Sequence, residues 1–296
     1  MAEVASSTAS LVYPSRNLLG EGPVWHAERK SFLWVDIEGK SLGEMKWPMR
    51  EVKSWPMPQR IGMIVPYEEN KLLIALQDGL AILDLQTGEQ EWFLDLEKEI
   101  KDNRPNDGKC DSQGRLWLGT MNVKANKNAG SLYCIEKNKK VTRQLNTLTI
   151  SNGMAWSQDE QSFYFIDSPL CRIDEYRLDA VTARLKFVRT AIHTPKALGM
   201  PDGMTIDEEG MLWVAQWDGF AVCRWNPHTG KMLHKIHVPV PHVTSCTFGG
   251  NNLHVLFITT ARTGLKDEAL LKYPDSGHIF IAQPGVKGIL PNTFKS

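Results

Sequence analysis

The chain has 296 residues, with 34 Lys and Arg balanced by 34 Asp and Glu and a hydrophobic content of 42%. That is enough to bury a large core, and the composition is that of a globular rather than a disordered protein. The zero formal charge argues against a nucleic-acid surface or a polybasic membrane patch, and no run is apolar enough to span a bilayer.

Strand signals dominate and helix signals are scarce. The first short strand is Ser10-Leu-Val-Tyr13. Six apolar runs follow: Ser31–Asp36, Lys71–Leu76, Arg115–Gly119, Ser162–Asp167, Met211–Ala215 and Leu253–Phe257. Their central residues are Trp34, Ile74, Trp117, Tyr164, Trp213 and Val255, separated by about 40, 43, 47, 49 and 42 residues. This is the spacing of propeller blades with four strands each. Turns such as Leu83–Gly88, Tyr176–Thr182 and Arg224–Gly230 lead from a later strand of the blade to the next, with Gly88 and Gly230 supplying positive φ. The segments DSQGR, SQDEQS and DEEGM read as hairpin connections into the apolar runs. Six repeats fill residues 1–296, so the expected fold is all-β: one six-bladed β-propeller domain with four antiparallel strands per blade. Ser10–Tyr13 is expected to close the ring beside Gly277-His-Ile-Phe-Ile-Ala282 in the last blade, which removes an open sheet edge. A β-sandwich has no reason to repeat at this period.

Loops entering the innermost strands of a propeller meet at its central channel. Several polar residues recur there at the blade period: Glu21 in LGEGPVW, Asn106 in RPNDGK, Asn152 in SNGM and Asp202 in PDGM. Each stands beside or close to a glycine and ahead of an apolar strand start. Asn-Gly and Asp-Gly are also the commonest turn dipeptides, so the recurrence carries the functional reading, not any one motif. Glu21 stands apart, because Glu is a poor turn former and its flanking glycines permit close backbone approach. Carboxylate and carboxamide oxygens form a hard ligand set suited to Ca²⁺, Mg²⁺ or Mn²⁺, and would leave coordination positions for water or substrate.

The segments LGEGPVW (19–25), LWVDI (33–37), RPNDGKCD (104–111), GRLWLGTM (114–121), ISNGMAW (150–156), PDGMTID (201–207), GMLWVAQW (210–217) and PVPHVTSCTFGG (239–250) resemble those of the SMP-30/gluconolactonase/regucalcin family, in family order. The resemblance implies one divalent metal in the central channel, held by Glu21, Asn152 and Asp202. Ca²⁺ suits these ligands best, with Zn²⁺, Mn²⁺, Mg²⁺ or Fe²⁺ as other occupants. It implies that Arg104 and Asn106 contact substrate, and that the activity is hydrolysis of sugar-acid lactones. Asp202 is then the family's candidate for the catalytic base, although a carboxylate bonded to a cation is a weak one. Two departures bear on substrate. Asn122-Val-Lys124 follows Met121 where some relatives carry an acidic residue, and Asp218 follows Trp217 where many have a small one.

The other chemistry-bearing residues point to packing. The five cysteines, Cys110, Cys134, Cys171, Cys223 and Cys246, form no CxxC pair, so neither a disulfide framework nor a thiolate zinc site is indicated. The histidines show no metal-ligand spacing; His26 is the one to watch. Trp25 and Trp217 are read as core, with a cavity wall as the alternative. Serine-nucleophile catalysis is not indicated, since no G-x-S-x-G elbow occurs. The N-terminus, MAEVASSTAS, lacks the basic and apolar regions of a secretory signal. The expectation is a cytoplasmic monomer whose partner is a small sugar lactone, with no nucleic-acid or membrane partner. Alternative functions are a calcium-dependent phosphotriesterase or arylesterase-like hydrolase, and a non-catalytic calcium- or partner-binding propeller.

Overall fold

A computed structural model describes residues 4–295. Six sheets stand radially around a central channel. Their inner strands are Gly20–His26, Ile61–Glu68, Asn103–Cys110, Ser151–Trp156, Met200–Ile206 and Val243–Gly249, which define blades 1 to 6. Each is followed outward by three antiparallel strands. Neighbouring inner strands touch all the way round, and the last touches the first.

The apolar runs of the sequence are the second strands of the blades. Ser31–Asp36, Lys71–Leu76 and Ser162–Asp167 have the expected bounds. The other three, Leu116–Asn122, Leu212–Trp217 and Val255–Thr260, start one or two residues later and run on further, toward the end of the blade that carries the candidate site. These strands lack polar alternation because both of their faces are covered. Along Ser31–Asp36, Leu33 and Val35 pack toward blade 2, while Phe32 and Trp34 pack toward blade 6. Six apolar clusters result, one in each cleft between adjacent blades. Trp117 and Trp213 are wholly buried in two of them, where truncation to Ala costs about 3–5 kcal/mol.

Turn chemistry joins the first two strands of blades 3 and 5. Asp111 accepts hydrogen bonds from the Gln113 and Arg115 amides and from the Trp117 indole N–H at 2.9 Å. Asp207 does the same for the Glu209 and Met211 amides and for the Trp213 indole at 2.8 Å. One aspartate thus closes the hairpin and satisfies the buried indole six residues further on. Gly88 and Gly230 adopt φ of 80° and 68°, as their turns require.

Ser10–Tyr13 closes the ring as expected, pairing antiparallel with Ile279–Ala282 in blade 6. The N-terminus also departs from the expectation of four strands per blade. Ala5–Thr8 adds a fifth strand to blade 5, parallel to Met232–His237, and Ser7 Oγ lies 2.9 Å from His234 Nε2. The polar segment thereby covers an edge strand that would otherwise be open. Among the described residues one short α-helix occurs, Asp267–Lys272, and no helix is long and apolar enough to cross a membrane. All five cysteines are free; four are buried and Cys171 is partly exposed.

Candidate functional site

The recurring polar residues are not in loops. They lie within the inner strands, where the pairing with the second strand slips: between Glu21 and Val24, Pro105 and Gly108, Asn152 and Met154, and Pro201 and Met204. Each slip is a β-bulge, which turns a side chain out of the alternation and into the channel. The glycine that looked like a turn former is there for space. A Cβ on Gly153 would stand 2.6 Å from the Met204 Cβ and 2.7 Å from the Asp202 carbonyl oxygen. On Gly203 it would meet the Ser245 Oγ at 2.1 Å. Only glycine lets adjacent inner strands approach this closely.

Two aspartates at the ends of second strands hold the chain where it enters the bulges. Asp36 accepts hydrogen bonds from the Leu18 and Leu19 amides at 2.8 and 2.9 Å, two residues before Glu21. Asp167 accepts from the Thr149 amide and, at 2.9 Å, from the Ile150 amide, two residues before Asn152. Such charge-assisted bonds fix the backbone on which the channel side chains ride.

A cavity of about 160 Å³ opens at this end of the channel, lined by Glu21, Arg104, Asn106, Asn152 and Asp202. The five residues singled out in the sequence therefore converge from blades 1, 3, 4 and 5. Asn152 donates through Nδ2 to Asp202 Oδ1 and to Ser168 Oγ, while its Oδ1 is buried without a partner among the described residues. Asn106 is held from both ends: its Oδ1 accepts from Arg104 Nη1 at 2.6 Å, and its Nδ2 donates to the Ser151 carbonyl at 2.8 Å. The Arg104 Nε is likewise buried and has no partner among the described residues. Leu19, Met121, Ile150, Met200 and Trp217 supply the apolar wall.

The electrostatics are unbalanced. Burial, reinforced by the Asp202 and Asp107 carboxylates, pushes Glu21 well above the usual carboxylate range. Burial also raises Asp202 strongly, against the amide of Asn152 that donates to it. Burial pulls the Arg104 guanidinium down to about 10, opposed by Glu38 and Glu21. Two buried carboxylates without a cation in contact, beside a buried carboxamide oxygen without a donor, fit a hard divalent ion. Among the described residues no three His, Cys, Asp or Glu side chains cluster for a metal. The set reaches three ligands only through the Asn152 amide.

Other expectations resolve differently. Trp217 walls the cavity, whereas Trp25 is core between blades 6 and 1. Asp218 is an exposed turn residue at φ 64°, facing His242 Nε2 at 3.3 Å rather than the cavity. Asn122 is buried against Asn103, and Lys124 pairs with Asp102 at the surface. His26 is buried at the far end of its strand. Ser168, which orients Asn152, was not foreseen; it sits on a short 3₁₀ turn, and nothing in its local sequence marks it.

Residues 19–262 match the model of the SMP-30/gluconolactonase/LRE-like region. The chain belongs to that family. Regucalcin from Danio rerio is a relative with 34% identity, covering 98% of this chain and 99% of that protein. Among solved structures, a regucalcin from Agrobacterium tumefaciens, described as a calcium-binding protein, superposes with a TM-score of 0.95 at 30% identity over the whole of both chains. A luciferin-regenerating enzyme superposes with a TM-score of 0.89 at 33% identity, covering 95% of this chain and 97% of that one. The six-bladed architecture is thus shared with both of these structures along essentially the full length.

Proposed function

We propose that the protein is a divalent-metal-dependent lactonase that opens sugar-acid lactones of the aldonolactone or gluconolactone type. The observation that carries this reading is the convergence of Glu21, Asn152 and Asp202 from three blades on one cavity, with their acidity uncompensated. Membership of a family described by gluconolactonase supports it. Calcium is the favoured ion, on the oxygen-only ligand set and on the calcium-binding description of the Agrobacterium relative. Zn²⁺, Mn²⁺, Mg²⁺ and Fe²⁺ are further occupants of such a site.

When bound, the ion supplies Lewis-acid stabilisation of the charge that develops on the lactone carbonyl oxygen. The chain's own residues do the rest. Arg104 offers its unpartnered Nε–H to the ring oxygen or a hydroxyl of the substrate. Asn106, clamped between Arg104 and the Ser151 carbonyl, has one amide N–H left for a second hydroxyl. Trp217 and Met121 present apolar surface to the carbon face of the sugar and keep bulk water out. Asp202 takes the proton from the attacking water. The Asn152 amide holds one of its oxygens, which fixes the direction in which the other faces. A lactone is a reactive ester, so a weak carboxylate base is sufficient.

The test is proton release from a panel of aldonolactones by chelated protein, with single divalent metals added back. Turnover that requires metal and disappears in Glu21→Gln supports the reading and names metal and substrate together. Metal binding without turnover of any lactone would overturn it in favour of a calcium-binding propeller. Turnover confined to phosphotriesters or aryl esters would overturn the lactone assignment.

A further inference from the structure

The channel has a second chamber. Below the bulges, all six inner strands line a cavity of about 270 Å³, contributing among others Val24, Val65, Lys109, Met154, Thr205 and Thr247. The C-terminal segment forms its floor. That segment is tied down before the cavity by the Gly288 amide to the Leu253 carbonyl at 2.9 Å. Beyond it, the Phe294 amide donates to the Pro66 carbonyl at 2.8 Å, with the Phe294 ring fully buried. Between these anchors Ile289, Leu290 and Pro291 cross the opening, and Ile289 and Leu290 stay half exposed.

The walls are mostly apolar, but two opposite charges face in. Lys109 reaches across from blade 3 to donate to the Met204 carbonyl of blade 5, which leaves two of its ammonium hydrogens. Asp107 is 7% exposed; its Oδ1 accepts from the Gly108 amide and its Oδ2 has no partner among the described residues. Among the described residues neither forms an ion pair within 4.0 Å. A structural ion pair would be closed, and a purely apolar hole would hold no charges, because unpaired buried charge is costly.

We propose that this lower chamber is a second small-molecule site, separate from the metal cavity, for an apolar molecule that carries one hydroxyl. A hydroxyl is the smallest group that answers both charges: its oxygen accepts from the Lys109 ammonium while its hydrogen goes to the Asp107 carboxylate. The volume exceeds the roughly 150 Å³ of an apolar cavity that holds one benzene ring, so an aryl or short alkyl alcohol fits. The site stands whether or not the upper cavity hydrolyses lactones.

Ligand-observed NMR titration of the full-length protein with toluene, benzyl alcohol and benzoate tests it. Benzyl alcohol is expected to bind saturably and roughly fivefold or more tighter than toluene, the worth of one hydrogen bond. Benzoate is expected to bind worst, repelled by Asp107. Thr247→Phe fills the chamber and should abolish binding in a protein of unchanged circular dichroism. Lys109→Met should keep toluene and lose the preference for the alcohol. Toluene and benzyl alcohol binding equally would reduce the chamber to an apolar hole, and tighter benzoate would make it an anion site of Lys109 alone. Absence of binding, or binding unchanged in folded Thr247→Phe, overturns the proposal outright.

Discussion

All six inner strands slip at the same level of the channel, yet they do different things there. In blades 1, 3, 4 and 5 the bulge turns Glu21, Asn106, Asn152 and Asp202 into the cavity. Blade 2 slips between Ile61 and Met63, around Gly62, where a Cβ would lie 2.3 Å from the Pro105 carbonyl oxygen. No side chain fits, and the space goes to the neighbouring backbone. Blade 6 slips between Val243 and Ser245, around Thr244, whose hydroxyl donates to the Gly20 carbonyl at 2.5 Å and so stitches blade 6 to the strand carrying Glu21. The bulge is therefore a property of the fold, and it aims whatever residue stands in it. Chemistry enters only through the choice of that residue.

The contrast between Asp202 and Thr244 can be broken directly. Asp202→Asn keeps the shape of the side chain and removes its basicity, so kcat is expected to fall about 10²–10⁴-fold with the fold intact. Thr244→Val removes the stitch only. It should cost about 1–2 kcal/mol in denaturant unfolding and leave kcat within a few-fold. Turnover surviving in Asp202→Asn, with metal still bound, would remove Asp202 as the base. A smaller effect separates the two ends of the channel. Asp167→Ala leaves the Thr149 and Ile150 amides without their acceptor and loosens Asn152; it should weaken metal affinity about 10–100-fold, as loss of an outer support does. Asp111→Ala, at the opposite end, strips the Trp117 indole of its partner and should lower stability comparably while leaving metal affinity unchanged. Calorimetric metal titration of both variants checks the distinction.

The second strands were legible because burial on both faces writes a continuous apolar run, and Phe32-Leu-Trp-Val35 or Phe163-Tyr-Phe-Ile166 cannot be read otherwise. The site residues were legible as a recurrence, but their setting was not. Polar-Gly pairs have the chemistry of turns, and what makes them bulges is the closeness of the adjacent strand at Gly153 and Gly203, a contact between residues about fifty apart. The sequence singles out Asn106 of Asn106-Asp-Gly108 for the upper cavity, but it does not show what parts it from Asp107. The bulge, in which Asn106 and Asp107 together oppose Gly119, sends Asn106 up and leaves Asp107 to the lower chamber. The supports Asp36 and Asp167 act across 17 or 18 residues and carry no local signature. Ala5–Thr8 shows no apolar pattern at all, because its pairing is made by backbone on an outer edge.

The last contrast is between the cavity with and without its ion, and it is read through protons. Glu21 is raised well above the ordinary carboxylate range in the folded chain, chiefly by burial. Below the ordinary value, about 4.3, both folded and unfolded chains hold the proton, and Glu21 behaves as a glutamine. As pH climbs from there toward the raised value, the unfolded chain releases its proton and the folded chain does not. The unfolded state then binds fewer protons, and folding stability falls across that window. Chelated wild-type protein and Glu21→Gln should therefore melt together at the acid end of the stable range. They should diverge with rising pH, the variant becoming more stable by a few degrees near neutrality. Adding Ca²⁺ should raise the wild type alone, because a cation held by Glu21, Asn152 and Asp202 would offset the buried negative charge. A difference in melting temperature that does not vary with pH would mean that Glu21 is already ionised and compensated in the metal-free cavity, and that the carboxylates do not need a cation between them.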